Sequence, residues 1–365
     1  MALFSSAKPN LSGVKNYQPG KPLEELEREY GIRNAVKMAS NENALGPSPK
    51  ALSALRKALP RVHRYPDGGC FYLRKKLSMF LKVDSAQIIF GNGSDELLVM
   101  AVRSLVGPQD EVVIADPTFL IYEIASQVEN GVVIKVPMTN FRYDLDSMRK
   151  KIGPRTKLIF VANPDNPVGT YIKEKSLIRF LTAVPKNVVV VLDEAYYEFA
   201  KDAPGYPDSV RLLDTYENLV VTRTFSKAYG LSGLRVGYGL MSASLAETFN
   251  KVREPFNVNL LAQEAAIAAL DDRSHLKKSL SLVHEGRRYL VGELSKMGVA
   301  TVDTVTNFIL ADLKTAAKPV YEALLKKGVI IRPMTAWGLD QFIRVTIGRR
   351  GENKRFINAL KQILK

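Results

Sequence analysis

Val188-Val189-Val190-Val191-Leu192-Asp193-Glu194-Ala195-Tyr196 is the stretch on which the fold turns. A half-exposed strand alternates apolar and polar residues. Here five apolar residues run without interruption, which reads as a strand buried on both faces, the habit of parallel sheets covered by helices. The chain then becomes polar at once. Asp193 and Tyr196 fall just beyond the strand's carboxyl end, where open α/β sheets carry their sites.

Working outward, similar short apolar runs recur at Gln87–Phe90, Glu111–Ala115, Val132–Val136, Lys157–Ala162, Leu219–Thr222 and Val236–Leu240, separated by segments long enough for helices. This alternation predicts a mostly parallel sheet with helices on both sides. The last third differs. Strands are predicted at Asn307–Asp312, Val329–Arg332 and Phe342–Ile347, and Phe356, Ala359, Leu360 and Ile363 form one apolar helical stripe. The expected organisation is a large α/β domain over residues 40–251 and a smaller α+β domain over 252–365, which the segment 1–39 joins.

Composition narrows the function classes. One cysteine, Cys70, excludes an internal disulfide, and with only three histidines a structural zinc site of the usual four Cys/His ligands is excluded too, so no metal is expected. The single cysteine and the absence of a signal-peptide pattern at the start predict a cytoplasmic protein. The longest apolar runs, Leu97 to Val102 and Ala265 to Leu270, have six residues each, against about twenty for a membrane span. Lys and Arg number 52 against 37 Asp and Glu, a net charge of +15. These cations are spread along the chain with no recognisable reading helix, so nucleic acid is not an expected partner.

Chemistry-bearing residues cluster at the predicted strand ends. A second strand runs into Thr224-Phe225-Ser226-Lys227, with Arg235 eight residues on. A strand-end lysine near a neighbouring carboxylate can sit partly desolvated as a usable amine. Hydroxyls and an arginine beside it suit a phosphate-bearing carbonyl cofactor. Upstream, Gly91-Asn92-Gly93-Ser94-Asp95-Glu96 allows a tight turn, and Ser94 or Asp95 could cap the following helix, whose N-terminus attracts an anion. Between them stands Asn163-Pro164-Asp165-Asn166-Pro167-Val168-Gly169, which alone reads as a loop.

In that order, Asn-Pro-Asp-Asn-Pro-x-Gly, Asp-x-x-Tyr, Ser-Lys and Arg resemble the fold-type I aminotransferases that use pyridoxal 5′-phosphate, over nearly the whole chain. Within that superfamily the fuller wording resembles the histidinol-phosphate aminotransferases: Tyr17-Gln18-Pro19-Gly20, Ser40-Asn41-Glu42-Asn43, Arg64-Tyr65-Pro66-Asp67, Arg223-Thr224-Phe225-Ser226-Lys227-Ala228-Tyr229-Gly230 and Ile343-Arg344-Val345-Thr346. The family usually has Pro at Ala44, Asn at Asp165 and Thr at Val168. An acidic Asp165 near the ring is expected to weaken anion binding slightly.

The resemblance implies an aspartate-aminotransferase-like fold and a set of roles. Lys227 holds the cofactor as a Schiff base and then moves the proton. Asp193 pairs with the pyridine nitrogen, while Asn166 and Tyr196 hydrogen-bond the ring oxygen. Phe119, where the family often has tyrosine, stacks on the ring. Ser94, Asp95, Thr224, Ser226 and Arg235 hold the phosphate, with Tyr65 reaching in from the other subunit of a homodimer with shared sites. Arg344, Arg332, Tyr17 and Asn43 meet the substrate. The implied reaction transfers the amino group between L-histidinol phosphate and 2-oxoglutarate, with glutamate as the other product, in histidine biosynthesis. An aromatic amino-acid aminotransferase and a threonine-phosphate decarboxylase of the same fold remain alternatives, as does a non-catalytic pyridoxal-binding regulator.

Overall fold

The computed structural model describes residues 4–364. Thirteen strands are present among them. β1 (Val36–Lys37) precedes a run of seven that builds the main sheet: β2 (Ile88–Gly91), β3 (Glu111–Asp116), β4 (Val132–Pro137), β5 (Thr156–Ala162), β6 (Val189–Asp193), β7 (Leu219–Thr224) and β8 (Gly237–Leu240). Their spatial order is β2-β8-β7-β6-β5-β3-β4. The pairs from β7 through β4 are parallel, while β8 runs antiparallel to both of its neighbours. The sheet is therefore mixed and mostly parallel, as its apolar runs predict.

Strand parity shows why those runs are continuous. Val190 and Leu192 of β6 enter the same core as Ile159, Val161 and Val221, whereas Val189 and Val191 enter the opposite core with Leu158, Phe160 and Val220. Each strand thus feeds two cores, one per face. At about 1.5–3 kcal/mol for each fully buried Val or Leu side chain, apolar residues are favoured at both parities of such a strand.

The second body contains β9 (Ala300–Thr301), β10 (Phe308–Asp312), β11 (Val329–Ile330), β12 (Arg332–Pro333) and β13 (Phe342–Thr346). β12-β13-β10-β9 form an antiparallel sheet, and β11 pairs instead with β1 in a parallel two-stranded ribbon. The single strand expected over Val329–Arg332 is in fact two, belonging to different sheets. The break falls at Ile331, which is itself buried, so no polar residue marks it in the sequence. Phe356, Ala359 and Leu360 of the last helix, Arg350–Ile363, are buried in this second core, and Ile363 packs at its edge.

Helix Leu260–Leu270 lies on the large-sheet side of the expected 251/252 boundary. Its Ala262, Ala265, Ala266 and Ala269 belong to the core under the main sheet and pack against helix Pro49–Ala58. The two bodies are instead bridged by helix Arg273–Lys296, whose Val283, Leu290 and Leu294 enter the second core. Asp272 caps that helix by accepting from the His275 N–H at 3.2 Å. Among the described residues, no helix is long and apolar enough to cross a membrane.

Candidate active site

The carboxyl ends of β5, β6 and β7 open into one cavity of about 280 Å³, closed from the side by β12 and β13 and by the segment Ala39–Asn41. It brings together Tyr17, Ser94, Asp95, Phe119, Asn166, Asp193, Tyr196, Thr224, Ser226, Lys227, Arg235, Arg332 and Arg344. Two expected residues are elsewhere. The Asn43 amide donates to the Ala228 carbonyl (2.8 Å) and the Ser279 hydroxyl (2.9 Å), so it clamps the Lys227 loop to helix Arg273–Lys296 and does not line the cavity. Tyr65 is 83% exposed and stacks on Phe256, ring centres 4.8 Å apart, outside the cavity of its own chain. A larger hollow of about 850 Å³ adjoins the site beyond Phe119, but Lys227, Asp193 and Arg235 are absent from its walls.

Lys227 sits at the centre. Its Nζ donates to the Ser40 carbonyl at 3.3 Å and lies 5.9 Å from the centre of the Tyr196 ring. Burial, reinforced by the Arg344 and Arg235 charges, pulls its pKa down to about 8, against the opposing pull of Asp95 and Glu42. About a tenth of the amine is therefore neutral at pH 7 and half of it at about pH 8. In the cofactor-free protein the rate of Lys227 capture by a small aldehyde is expected to rise about tenfold per pH unit and to level off above about pH 8. A rate that keeps climbing to pH 10 would show an unperturbed amine.

Asp193, the last residue of β6, is buried, and burial raises its carboxyl to about 6 even though the Tyr122 hydroxyl donates to it. That bond is 2.8 Å, and Asp193 also accepts from the Ala195 N–H (3.1 Å) and the Thr222 hydroxyl (3.3 Å). Tyr122 is a support the sequence did not reveal. It sits in the first turn of helix Leu120–Val128 with no motif of its own and stacks on Phe160 at 4.5 Å. The arrangement leaves a buried carboxyl that a cation in the cavity would pull back to its ionised form.

Opposite lies an anion cradle. Helix Ser94–Leu105 begins at Gly93, with φ +85° and no side-chain cap, so neither Ser94 nor Asp95 caps it as expected; its first-turn N–H groups remain available. The Arg235 guanidinium donates to Ser226 Oγ (3.3 Å) and to Asp95 Oδ2 (3.3 Å). The cradle leaves no room for side chains. A Cβ on Gly93 would strike the Arg235 guanidinium, and one on Gly237 would lie 2.5 Å from the Ser94 nitrogen. Thr224 Oγ1 accepts from the Ser226 N–H at 3.1 Å, fixing the turn that carries Ser226 and Lys227. The residues present fit a phosphate.

At the other end, Arg332 and Arg344 are register partners across β12 and β13, so their side chains share a face. Both are buried. Arg344 donates to Asn166 Oδ1 and to the Ala39 carbonyl (2.9 Å), and its Nε is buried without a partner. Arg332 donates to the Gln18 carbonyl and lies over the rings of Tyr17 and Trp337. Two like charges held together, one with an unused donor, form a ready site for a second anion.

Asp165 does not face the ring position. It is fully buried behind the loop, where it accepts from the Thr118 hydroxyl (2.6 Å) and the Tyr143 hydroxyl (2.9 Å). Burial raises it to about 7, against those two bonds. Between the ordinary 3.8 and about 7 the folded chain holds a proton the unfolded chain has released, so this residue costs stability increasingly as pH rises across that window. Asp165→Asn is expected to raise the melting temperature at pH 8, with the gain vanishing below about pH 4 where both states are protonated. Thermal melts of the two proteins across this range check it; a variant that melts lower at pH 8 contradicts it.

Residues 33–360 match the family described as aminotransferase class I and II. The chain belongs to it. A histidinol-phosphate aminotransferase of Moorella thermoacetica is 48% identical over 365 residues, covering 100% of this chain and 94% of that protein. One from Anaeromyxobacter sp. is also 48% identical, covering 98% of each. Among solved structures, the histidinol-phosphate aminotransferase of Sinorhizobium meliloti in complex with pyridoxal-5′-phosphate superposes with a TM-score of 0.91 at 30% identity, covering 100% of this chain and 98% of that one. This class I and II aminotransferase therefore has the α/β fold its strand runs predict, a mixed and mostly parallel sheet with a smaller α+β body.

Proposed function

We propose that this aminotransferase binds pyridoxal 5′-phosphate and moves the amino group between L-histidinol phosphate and 2-oxoglutarate, a step of histidine biosynthesis. What supports the substrate choice is the full-length likeness to histidinol-phosphate aminotransferases, and the Arg332 and Arg344 pair, two buried guanidiniums apart from the cradle at Arg235, supplies the second anion site such a substrate needs. One anion site serves the cofactor phosphate; the other serves the far end of the substrate, whether phosphate or carboxylate. When bound, pyridoxal phosphate supplies a carbonyl carbon that amines attack and a ring that accepts electron density.

The side chains divide the work by position. Arg235, Thr224, Ser226 and the first-turn N–H groups of Ser94 and Asp95 hold the phosphate. Asp193, steadied by Tyr122, keeps a proton on the ring nitrogen. Asn166 and Tyr196 hydrogen-bond the ring oxygen, and Phe119 packs on the ring face. Lys227, with its lowered pKa, takes and returns the proton at the reacting carbon. Tyr17 joins Arg332 and Arg344 around the substrate anion.

A homodimer with shared sites belongs to the same proposal. Leu59, Val62, Tyr65, Phe71, Tyr72 and Phe256 are exposed apolar side chains within two neighbouring segments, an unusual concentration for a surface that stays in water. Tyr65 would then reach the partner's phosphate. A cytoplasmic setting fits the buried, unpaired Cys70.

The deciding experiment compares single-turnover half-reactions of the cofactor-loaded enzyme with histidinol phosphate, phenylalanine and threonine phosphate. Histidinol phosphate is expected to react fastest. A tenfold preference for phenylalanine, about 1.4 kcal/mol in transition-state binding, overturns the substrate choice. Release of carbon dioxide from threonine phosphate overturns the reaction type.

A further inference from the structure

Tyr196 can serve as a hydrogen-bond donor into the cavity only if its proton is not spent on a neighbouring acceptor, and a donor facing its oxygen ensures that. Asn41 is that donor. The Asn41 amide Nδ2 donates to the Tyr196 hydroxyl at 2.8 Å. Asn41 is buried and held in the left-handed backbone region at φ +55°, a conformation asparagine tolerates better than most side chains.

The direction of that amide follows from its other bonds. Thr346 Oγ1 accepts from the Asn41 backbone N–H (2.9 Å) and donates to Asn41 Oδ1 (3.2 Å). The Asn307 amide donates to the Asn41 carbonyl at 2.9 Å. Turning the amide over would put an NH₂ where the threonine proton now finds Oδ1, and would lose that bond. Oδ1 therefore faces Thr346 and Nδ2 faces Tyr196. A phenol has one proton and two lone pairs, so once Asn41 fills an acceptor position the proton is left for the cavity.

We infer that Asn41 is a positioning residue: its amide, locked by Thr346 of the smaller sheet, makes the Tyr196 hydroxyl a donor into the cavity. Thr346 and Asn307 belong to the second body and Tyr196 to the first, so the orientation of this one proton depends on the two bodies being docked. The inference rests on the reading that Tyr196 meets the ring oxygen of pyridoxal phosphate.

A donor aimed at that oxygen favours its ionised form and lowers the pH at which the bound cofactor's visible absorbance titrates. Asn41→Gly removes the amide without straining a positive φ. In the cofactor-loaded protein it is expected to raise the titration midpoint by about half a pH unit or more, in the same direction as Tyr196→Phe. Combined with Tyr196→Phe it should add nothing, because the hydroxyl through which it acts is gone. Thr346→Val, which leaves both Asn41 and Tyr196 in place, should move the midpoint the same way.

Melting of the cofactor-free proteins separates orientation from scaffolding. An Asn41→Gly midpoint equal to that of the parent, with only a lower melting temperature, overturns the inference, as do shifts that add fully in the double variant. A parent protein that forms no visible band with pyridoxal phosphate overturns the functional reading and this inference together. A band that titrates identically in parent and variant overturns this inference alone.

Discussion

Lys227→Ala is expected to form no visible band with pyridoxal phosphate and to lose transamination by about 10⁴-fold or more, the scale of removing a nucleophile from an active site. The amine lies on the cavity wall, its pKa lowered to about 8 by burial and by the neighbouring arginines. Among the described residues no other lysine lines that cavity. Lys227→Arg keeps a cation in place without a usable amine and should fail equally, which separates charge from nucleophilicity. Stability should hold or rise in the alanine variant, because a buried cation beside Arg344 and Arg235 is removed. Absorbance titration with pyridoxal phosphate and a thermal melt are sufficient checks. Retention of the band in Lys227→Ala would end the assignment.

The largest loss of stability is expected from Glu194→Ala. Glu194 and Arg223 are 0% and 2% exposed at their side chains and paired at 2.8 Å. The Ser209 hydroxyl donates to the same carboxylate oxygen at 2.8 Å, and the guanidinium lies 3.4 Å over the Tyr197 ring. Deleting the carboxylate strands a buried cation, at a cost of about 3–5 kcal/mol. A fall of roughly 4–7 °C in melting temperature follows for a chain of this size. Replacing both partners by methionine should recover most of it, because no charge is then left unpaired. If the single and double variants melt alike, the pair is not what holds this region.

These two carboxylates show how far the sequence can be read. Asp193 and Glu194 are adjacent, and successive strand residues point to opposite faces. Parity says that only one faces the site; nothing local says that the other finds Arg223, 29 residues away. The same limit governs Asn41 and Asn43. Both sit in Ser40-Asn41-Glu42-Asn43, yet Asn41 reaches Tyr196 while Asn43 ties down the Lys227 loop. Asp165 lies one residue from Asn166 and turns away from the cavity into a pocket of hydroxyls. The split of Val329–Arg332 was equally hidden, since an apolar run looks the same whether one sheet or two receive it.

By itself the sequence determined the sheet and the order of its chemistry. Uninterrupted apolar strands admit only a sheet covered on both faces, and parallel strands in such a sheet bring their carboxyl ends to one edge, so Asn166, Asp193, Tyr196, Ser226 and Lys227 converge wherever the strands are read correctly. Tertiary structure alone decided the partners: Arg332 opposite Arg344, Tyr122 beneath Asp193, Asn41 between Tyr196 and Thr346. The reason is physical. Burial is a property each residue carries locally, whereas a hydrogen bond between side chains 305 positions apart exists only after two separately formed sheets have docked.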